Sequence, residues 1–326
     1  MTQKQKIHIF FFIKAFGKFK LFQTAENVNT SDFITKFKNK HILNRKIEKL
    51  SSKSHQKTDH AIKDLMSLSK KLINSKNSAL NPRNNLILLE GKILLKEALK
   101  TDQIQIEKIF YSDENLLQDK NLYRPGLIYH KISQELMETI SDVKTNQGIL
   151  AFGKLSLKPS LNKKKFSVIL DQVSDPGNMG TIIRTAAAIG CDQIIMTKGS
   201  ANPWNPKVLR SAMGGHFHLI ISQNFELDEI KEQIPIDTKI IIADSKDSDN
   251  TIDYLNLETH LNLNKNDKIC LVIGNEAHGV SNFFYALKNI GYNIFRTKIP
   301  ILMDSLNCSV AFAILAFELK RILNKK

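Results

Sequence analysis

The feature that most constrains this chain is a set of short, nearly all-apolar runs, each of which stops abruptly at Gly, Pro, Asn or Ser. Phe166 to Leu170 (FSVIL), Ile240 to Ala243 and Ile269 to Ile273 (ICLVI) show none of the polar alternation of a strand with one wet face. Strands of this kind are buried on both faces, as in a parallel sheet covered by helices. The segments between them fit that scheme, with helices predicted at Gly180 to Ile189, Pro206 to Met213, near Phe283 to Asn289, and from Ser309 to about Leu323. Further strands are predicted at Gln193 to Thr197 and near Asn293 to Ile299. The class is α/β, a parallel sheet with helices on both faces. Ligands of such open sheets sit at the carboxyl edge of the strands. Three segments that end strands are therefore read as walls of one pocket: Leu170 to Cys191 (LDQVSDPGNMGTIIRTAAAIGC), Leu271 to Ser281 (LVIGNEAHGVS) and Lys298 to Leu319 (KIPILMDSLNCSVAFAILAFEL).

Length allows a second domain, and the pattern upstream describes one. Strands are predicted at Leu86 to Leu89, Ile104 to Tyr111 and Ile149 to Phe152, with helices at Glu90 to Lys100 and Ser133 to Ser141 and an earlier helix at Thr58 to Lys71. The expected organisation is a basic segment over residues 1–50, a small α/β domain over 51–153, a Lys-rich linker over 154–165 and the parallel-sheet domain over 166–326. The net charge of +15 is unevenly placed: residues 1–100 hold 21 Lys and Arg against 7 Asp and Glu, the rest 26 against 25. A localised basic excess is the footprint of a polyanion such as nucleic acid, or else of a solvated or targeting segment. The first 25 residues contain no acid, as in an organelle presequence, although the first Arg is Arg45. No apolar run has the length of a membrane span. Cys191, Cys270 and Cys308 are widely spaced in apolar surroundings, which excludes a disulfide framework or a Cys/His zinc pattern and indicates a reducing compartment.

Individual residues carry the chemistry. Pro176, Gly177, Asn178 and Gly180 read as a tight turn before a helix whose amino terminus favours an anion, with Arg184 one turn in. Arg184 offers a planar, permanently charged fork for a phosphodiester, or pairs with a structural carboxylate such as Asp171 or Asp175. Glu276 stands in the turn after a strand, as a functional carboxylate or a helix cap, and His278 beside it reads as a surface residue. Ser305, Asn307 and Ser309 precede an almost wholly apolar helix, which Ser309 could cap and which must be covered on both sides, in part by a second subunit. Neither GxGxxG nor GxxxxGK[ST] occurs, which argues against a nicotinamide dehydrogenase or a P-loop NTPase.

Together the three segments resemble the motifs of the SpoU/TrmH family of the SPOUT superfamily, the knotted S-adenosylmethionine-dependent RNA ribose 2′-O-methyltransferases. The matching residues are Asn178 and Arg184 in the first motif, Glu276 in the second, and Ser305 and Asn307 in the third. The stretch from Thr197 to Phe217 (TKGSANPWNPKVLRSAMGGHF) is most similar to the animal mitochondrial large-subunit rRNA enzymes of that family. Met179, Cys308 and a short Ile301 to Asp304 loop depart from the family pattern without removing a motif residue. The resemblance implies a trefoil-knotted sheet, an amino-terminal RNA substrate-binding domain, and a mitochondrial or otherwise cytoplasmic homodimer. It also implies S-adenosylmethionine held by Gly274, Ile299 and Leu306 with Thr197 and Gly199 nearby, RNA contacts from Arg184 and Arg210, and no metal. Its catalytic set would be Asn178, Arg184, Glu276, Ser305 and Asn307, acting on rRNA; a tRNA substrate or a non-catalytic ribosome assembly factor are the competing expectations. Retention of four motif side chains, Asn178, Arg184, Glu276 and Asn307, favours an enzyme over a scaffold.

Overall fold

Alternate side chains of each central strand enter two different cores, which explains why the runs contain no polar alternation. In β6 (Phe166–Leu170), Val168 and Leu170 join one core and Ile169 the other. In β11 (Ile269–Ile273), Ile269, Leu271 and Ile273 face the first and Cys270 and Val272 the second. The first core is closed by α3 (Pro176–Ala188) and α8 (Cys308–Lys325), the second by α5 (Leu227–Gln233) and α7 (Asn282–Ala286). The computed structural model describes residues 80–81, 85–141, 143, 145–156, 165–244, 250–262 and 267–325. The basic segment of residues 1–50, the helix expected at Thr58 to Lys71 and most of the expected linker lie outside them.

The carboxy-terminal lobe is a seven-stranded, all-parallel sheet in the order β10-β12-β9-β11-β6-β7-β8. Its remaining strands are β7 (Gln193–Thr197), β8 (Ile220–Phe225), β9 (Lys239–Ala243), β10 (Thr251–Asp253) and β12 (Asn293–Lys298). Register aligns Leu170 with both Met196 and Ile273, so the loops after β6, β7 and β11 leave the sheet at one level. The amino-terminal lobe has the sheet order β1-β2-β5-β3-β4, from β1 (Leu80–Asn81), β2 (Leu86–Glu90), β3 (Ile104–Tyr111), β4 (Ile128–Lys131) and β5 (Ile149–Leu155). Helices α1 (Lys92–Ala98) and α2 (Gln134–Ile140) accompany it. The two lobes share a core, in which Trp204, Leu209 and Phe217 pack with Leu94, Leu95, Ala98 and Ile109.

Several boundaries differ from the sequence expectation, each for a local reason. Helix α3 begins at Pro176, four residues before the predicted start, because Pro is compatible with the first helical position and the Asp175 carboxylate caps the turn through Asn178 N–H at 2.8 Å. Arg184 consequently sits about two turns into the helix rather than one. Strand β5 runs on to Leu155, and the helix expected near Phe283 to Asn289 is α7 followed by a tighter turn over Leu287–Ile290. Strands β4, β8 and β10 and helices α5 and α6 (Leu257–Leu261) were not anticipated: these strands lie at sheet edges and the helices are short.

Candidate active site

Asn178 in the first turn of α3, Glu276 in the turn after β11 and Asn307 just before α8 meet at the carboxyl edge of the sheet. Asn307 Nδ2 donates to Asn178 Oδ1 at 2.9 Å, and Asn178 Nδ2 donates to Glu276 Oε1 at 3.0 Å. The direction of this chain is set at both ends. Asn307 Oδ1 accepts from the backbone N–H of Ser309 at 2.9 Å and from its hydroxyl at 2.6 Å, and a backbone N–H can only donate. The Asn307 amide must therefore donate onward, and an ionised carboxylate at the far end can only accept. Asn307 is also the residue that caps α8, a role the sequence left to Ser309; Val310 N–H and Ala311 N–H both bond to its carbonyl.

Desolvation acts to raise the pKa of Glu276, but hydrogen bonds from Asn178, backbone N–H groups and the Cys308 thiol outweigh it and hold the carboxyl below its usual value. Cys308 Sγ lies 3.5 Å from Glu276 Oε1, and burial together with that carboxylate pushes its thiol up to about 12, so it stays a neutral donor. The turn bearing Glu276 is a closed hairpin, with Asn275 N–H donating to Gly279 O at 3.0 Å and Gly279 N–H to Asn275 O at 2.9 Å. Gly274 permits this closure, since a Cβ there would stand 2.2 Å from the Gly279 carbonyl carbon. Asn275 Nδ2 then ties the hairpin to Gln172 O at 2.8 Å, and His278 beside it is exposed.

A buried carboxylate that sequence reasoning mentioned only as a partner for Arg184 fastens this edge together. Asp171 is 1% exposed; its Oδ2 accepts from Ser281 N–H at 2.7 Å and Ser281 Oγ at 2.5 Å, and its Oδ1 from Thr197 Oγ1 at 3.2 Å. Thr197 Oγ1 accepts in turn from Gln172 N–H at 2.9 Å, so the candidate cofactor residue Thr197 works here as a tie between strand ends. The signal for Asp171 was an acid directly after a nearly all-apolar strand.

Arg184 is exposed and has no ion pair among the described residues, because Asp171 serves Ser281 and Thr197 while Asp175 caps α3. The anion-attracting amino terminus of α3 is likewise already taken by the Asp175 side chain, and Gly180 serves helix packing: a Cβ there would lie 2.4 Å from Ser211 Cβ on α4 (Pro206–Ala212). Ser305 is exposed two residues before Asn307 and joins no hydrogen bond among the described residues. Gly199 is exposed after β7, and Ile299 and Leu306 are half-buried around the Ile301 to Asp304 loop. Arg210, in the last turn of α4, is half-buried with its Nη1 shut off from solvent. Among the described residues no group of three or more His, Cys, Asp or Glu is arranged to hold a metal ion, and no helix is long and apolar enough to cross a membrane.

A seven-stranded parallel sheet with amide and carboxylate groups hydrogen-bonded together at its carboxyl edge defines an open-sheet α/β protein whose polar site lies where such folds bind ligands. The SpoU rRNA Methylase family model matches residues 165–317. The mitochondrial rRNA methyltransferase 3 of Xenopus laevis is 30% identical over 316 residues, covering 78% of this chain and 73% of that one. The 23S rRNA (guanosine(2553)-2′-O)-methyltransferase of Bacillus subtilis is 29% identical, covering 73% and 90%. The crystal structure of an AdoMet-bound rRNA methyltransferase from Sinorhizobium meliloti superposes with a TM-score of 0.61 at 24% identity, over 83% of this chain and 97% of that one, and shares the fold. The chain belongs to the SpoU rRNA methylase family.

Proposed function

We propose that this chain is an S-adenosylmethionine-dependent methyltransferase that modifies a ribose 2′-hydroxyl of large-subunit rRNA in the mitochondrion. The observation that carries the proposal is the one-way chain from Asn307 through Asn178 to an ionised Glu276, built on the helix that also bears the unpaired Arg184. The names of its relatives supply the rRNA substrate, the ribose oxygen and the compartment.

The edge suits the cofactor. Half-buried apolar Ile299 and Leu306 suit a purine ring, and the backbone at Gly199 and Gly279 is exposed, with no atom within 4 Å of where a Gly279 Cβ would stand. Gly274, Ile299 and Leu306, with Thr197 and Gly199, would hold the group, which when bound supplies a methyl on an electrophilic sulfonium. Arg184, through its planar guanidinium fork, grips the phosphate beside the target ribose and stabilises charge growing on the 2′-oxygen. Glu276, already ionised and anchored, accepts hydrogen bonds and orients ribose and water with Asn178 and Ser305, while Asn307 holds Asn178 in register. The amino-terminal lobe and Arg210 bind RNA at a distance from the reacting atoms. The sheet is trefoil-knotted, as in the family, and a second subunit covers α8, where Val310 and Phe317 stand 47% and 59% exposed in its largely apolar amino-terminal half.

Methyl transfer from labelled S-adenosylmethionine to mitochondrial large-subunit rRNA is the test. Arg184→Ala should abolish transfer while cofactor affinity measured by calorimetry stays near wild type, and Arg184→Lys should also be poor because a point charge does not reproduce the fork. An alanine variant that methylates rRNA at the normal rate refutes the mechanism.

A further inference from the structure

The amino-terminal lobe presents an aromatic ring that the active site does not use. Tyr123 is 48% exposed and stacks on Tyr129, with ring centroids 5.5 Å apart and planes 25° from parallel. Tyr129 is pinned from both sides: its hydroxyl donates to Leu122 O at 3.0 Å and accepts from Arg124 N–H at 2.8 Å. Both chain neighbours of Tyr123 are thus fastened to the ring beneath it. An exposed loop tyrosine ordinarily keeps its rotamer freedom, whereas this one has surrendered it before any partner arrives, which lowers the entropic cost of binding a flat ligand.

The surroundings select the ligand's charge. Between Asp119 and Lys131 the cations Lys120, Arg124 and Lys131 face one acid, Asp119, and Lys96 neutralises that acid at 2.5 Å. Lys131 is engaged by Glu114, but Lys120 is exposed with no partner among the described residues. Arg124 donates from Nη2 to Leu99 O at 3.1 Å, which fixes it at the end of α1. That helix leads to the active site. A Cβ on Gly214 would lie 2.4 Å from Glu97 Cβ in α1, and one on Gly215 would lie 3.1 Å from Arg184 Cα, so only two glycines separate α1 from the backbone of Arg184.

We propose that Tyr123 is a stacking platform for an unpaired base of the RNA substrate, with Arg124 and Lys120 on the flanking phosphates. The proposal rests on the chain acting on RNA. Every base has a π face, so a fixed aromatic ring beside cations binds a single strand with little sequence preference, and a base paired in a duplex cannot reach it. The edge strand β4, with Ile128 55% exposed, would be the alternative seat for a protein, but the cation excess and the preordered ring fit a nucleotide better.

Full-length wild type, Tyr123→Ala, Tyr123→Phe and Tyr123→Trp decide the question. Tyr123→Ala should raise the KM for rRNA by about 5- to 150-fold, the range for one lost base–aromatic stack, with kcat at saturating RNA and cofactor affinity unchanged. Tyr123→Phe should behave as wild type, because the ring face rather than the hydroxyl is used. Tyr123→Trp should be quenched by single-stranded oligoadenylate and not by a duplex of equal length, above a steady background from the buried Trp204, the one native tryptophan. A wild-type KM in the alanine variant, equal losses in the alanine and phenylalanine variants, or an unquenched Tyr123→Trp would each overturn the proposal. So would an alanine defect confined to assembled ribosomal particles with RNA affinity intact, which would assign the face to a protein. If wild type transfers no methyl group to rRNA, the functional proposal fails, while the oligoadenylate quench still decides the platform.

Discussion

An Asp171→Ala substitution should detach the Glu276 hairpin from the sheet although, of the residues proposed to hold cofactor or RNA, it bonds only to Thr197. The carboxylate is 1% exposed and receives three donors: Ser281 N–H, Ser281 Oγ–H and Thr197 Oγ1–H. A hydrogen bond to a charged group contributes about 1.5–3 kcal/mol, and a buried donor left unsatisfied costs about 1–3 kcal/mol. The two Ser281 bonds converge on one oxygen and the Thr197 bond is long, so simple addition overstates the effect; we expect a loss of about 3–5 kcal/mol, as when one partner of a buried charged network is removed. Asp171→Asn retains one acceptor and should lose about half as much, and Ser281→Ala, which keeps the backbone donor, less again. Urea unfolding checks the stability and calorimetry the S-adenosylmethionine affinity, with an unchanged denaturant slope showing that the transition itself is the same. If Asp171→Ala stays within about 0.5 kcal/mol of wild type and binds the cofactor equally well, the hairpin is held by the Asn275 to Gln172 bond and the argument from Asp171 is wrong.

Two further predictions concern groups whose partners are unambiguous. His216 is fully buried against Trp204, and burial depresses its pKa from 6.5 to about 4 despite the 2.7 Å contact of Nε2 with Pro203 O; the unfolded chain therefore binds the extra proton between those values, and stability should fall as pH drops through that window by at most about 1.4 kcal/mol per pH unit. Denaturation at pH 7, 5.5 and 4.5 should show His216→Gln with a shallower acid slope than wild type, and identical slopes count against the assignment. Asn307→Asp keeps the oxygen that caps α8 but sets a second acceptor against Asn178 Oδ1, so kcat should fall about tenfold or more, one lost hydrogen bond, at a nearly unchanged melting temperature; full activity would mean the amide chain is not used.

How much of this was legible in the chain follows from the range of the forces involved. Strands β6, β7, β9 and β11 could be read directly, because burial on both faces demands apolar residues at both parities and neighbouring positions carry that demand. Strands β4, β8 and β10 could not, since they lie at or beside sheet edges and include partly exposed, polar positions such as Ser222, Gln223 and Asn224 in β8. The start of α3 was misplaced because Pro176 and Gly177 resemble a turn until Asp175 is seen to cap them. Asn178, Glu276 and Asn307 were nameable one by one as polar residues beside apolar runs, and Arg184 as a cation for either a phosphodiester or a structural aspartate. Which of them bond to one another was not, because Asn178 is 98 residues from Glu276 and 129 from Asn307. Only the strand order, which sets β11 beside β6 and brings α8 against α3, closes those separations. The same holds for the three donors on Asp171, the freedom of Arg184 from both nearby aspartates, and the core shared between the lobes through Trp204 and Phe217. Periodicity records which side of an element is buried, since that is set within a turn or a few residues; the partner it is buried against depends on chain crossovers, and local pattern carries no information about those.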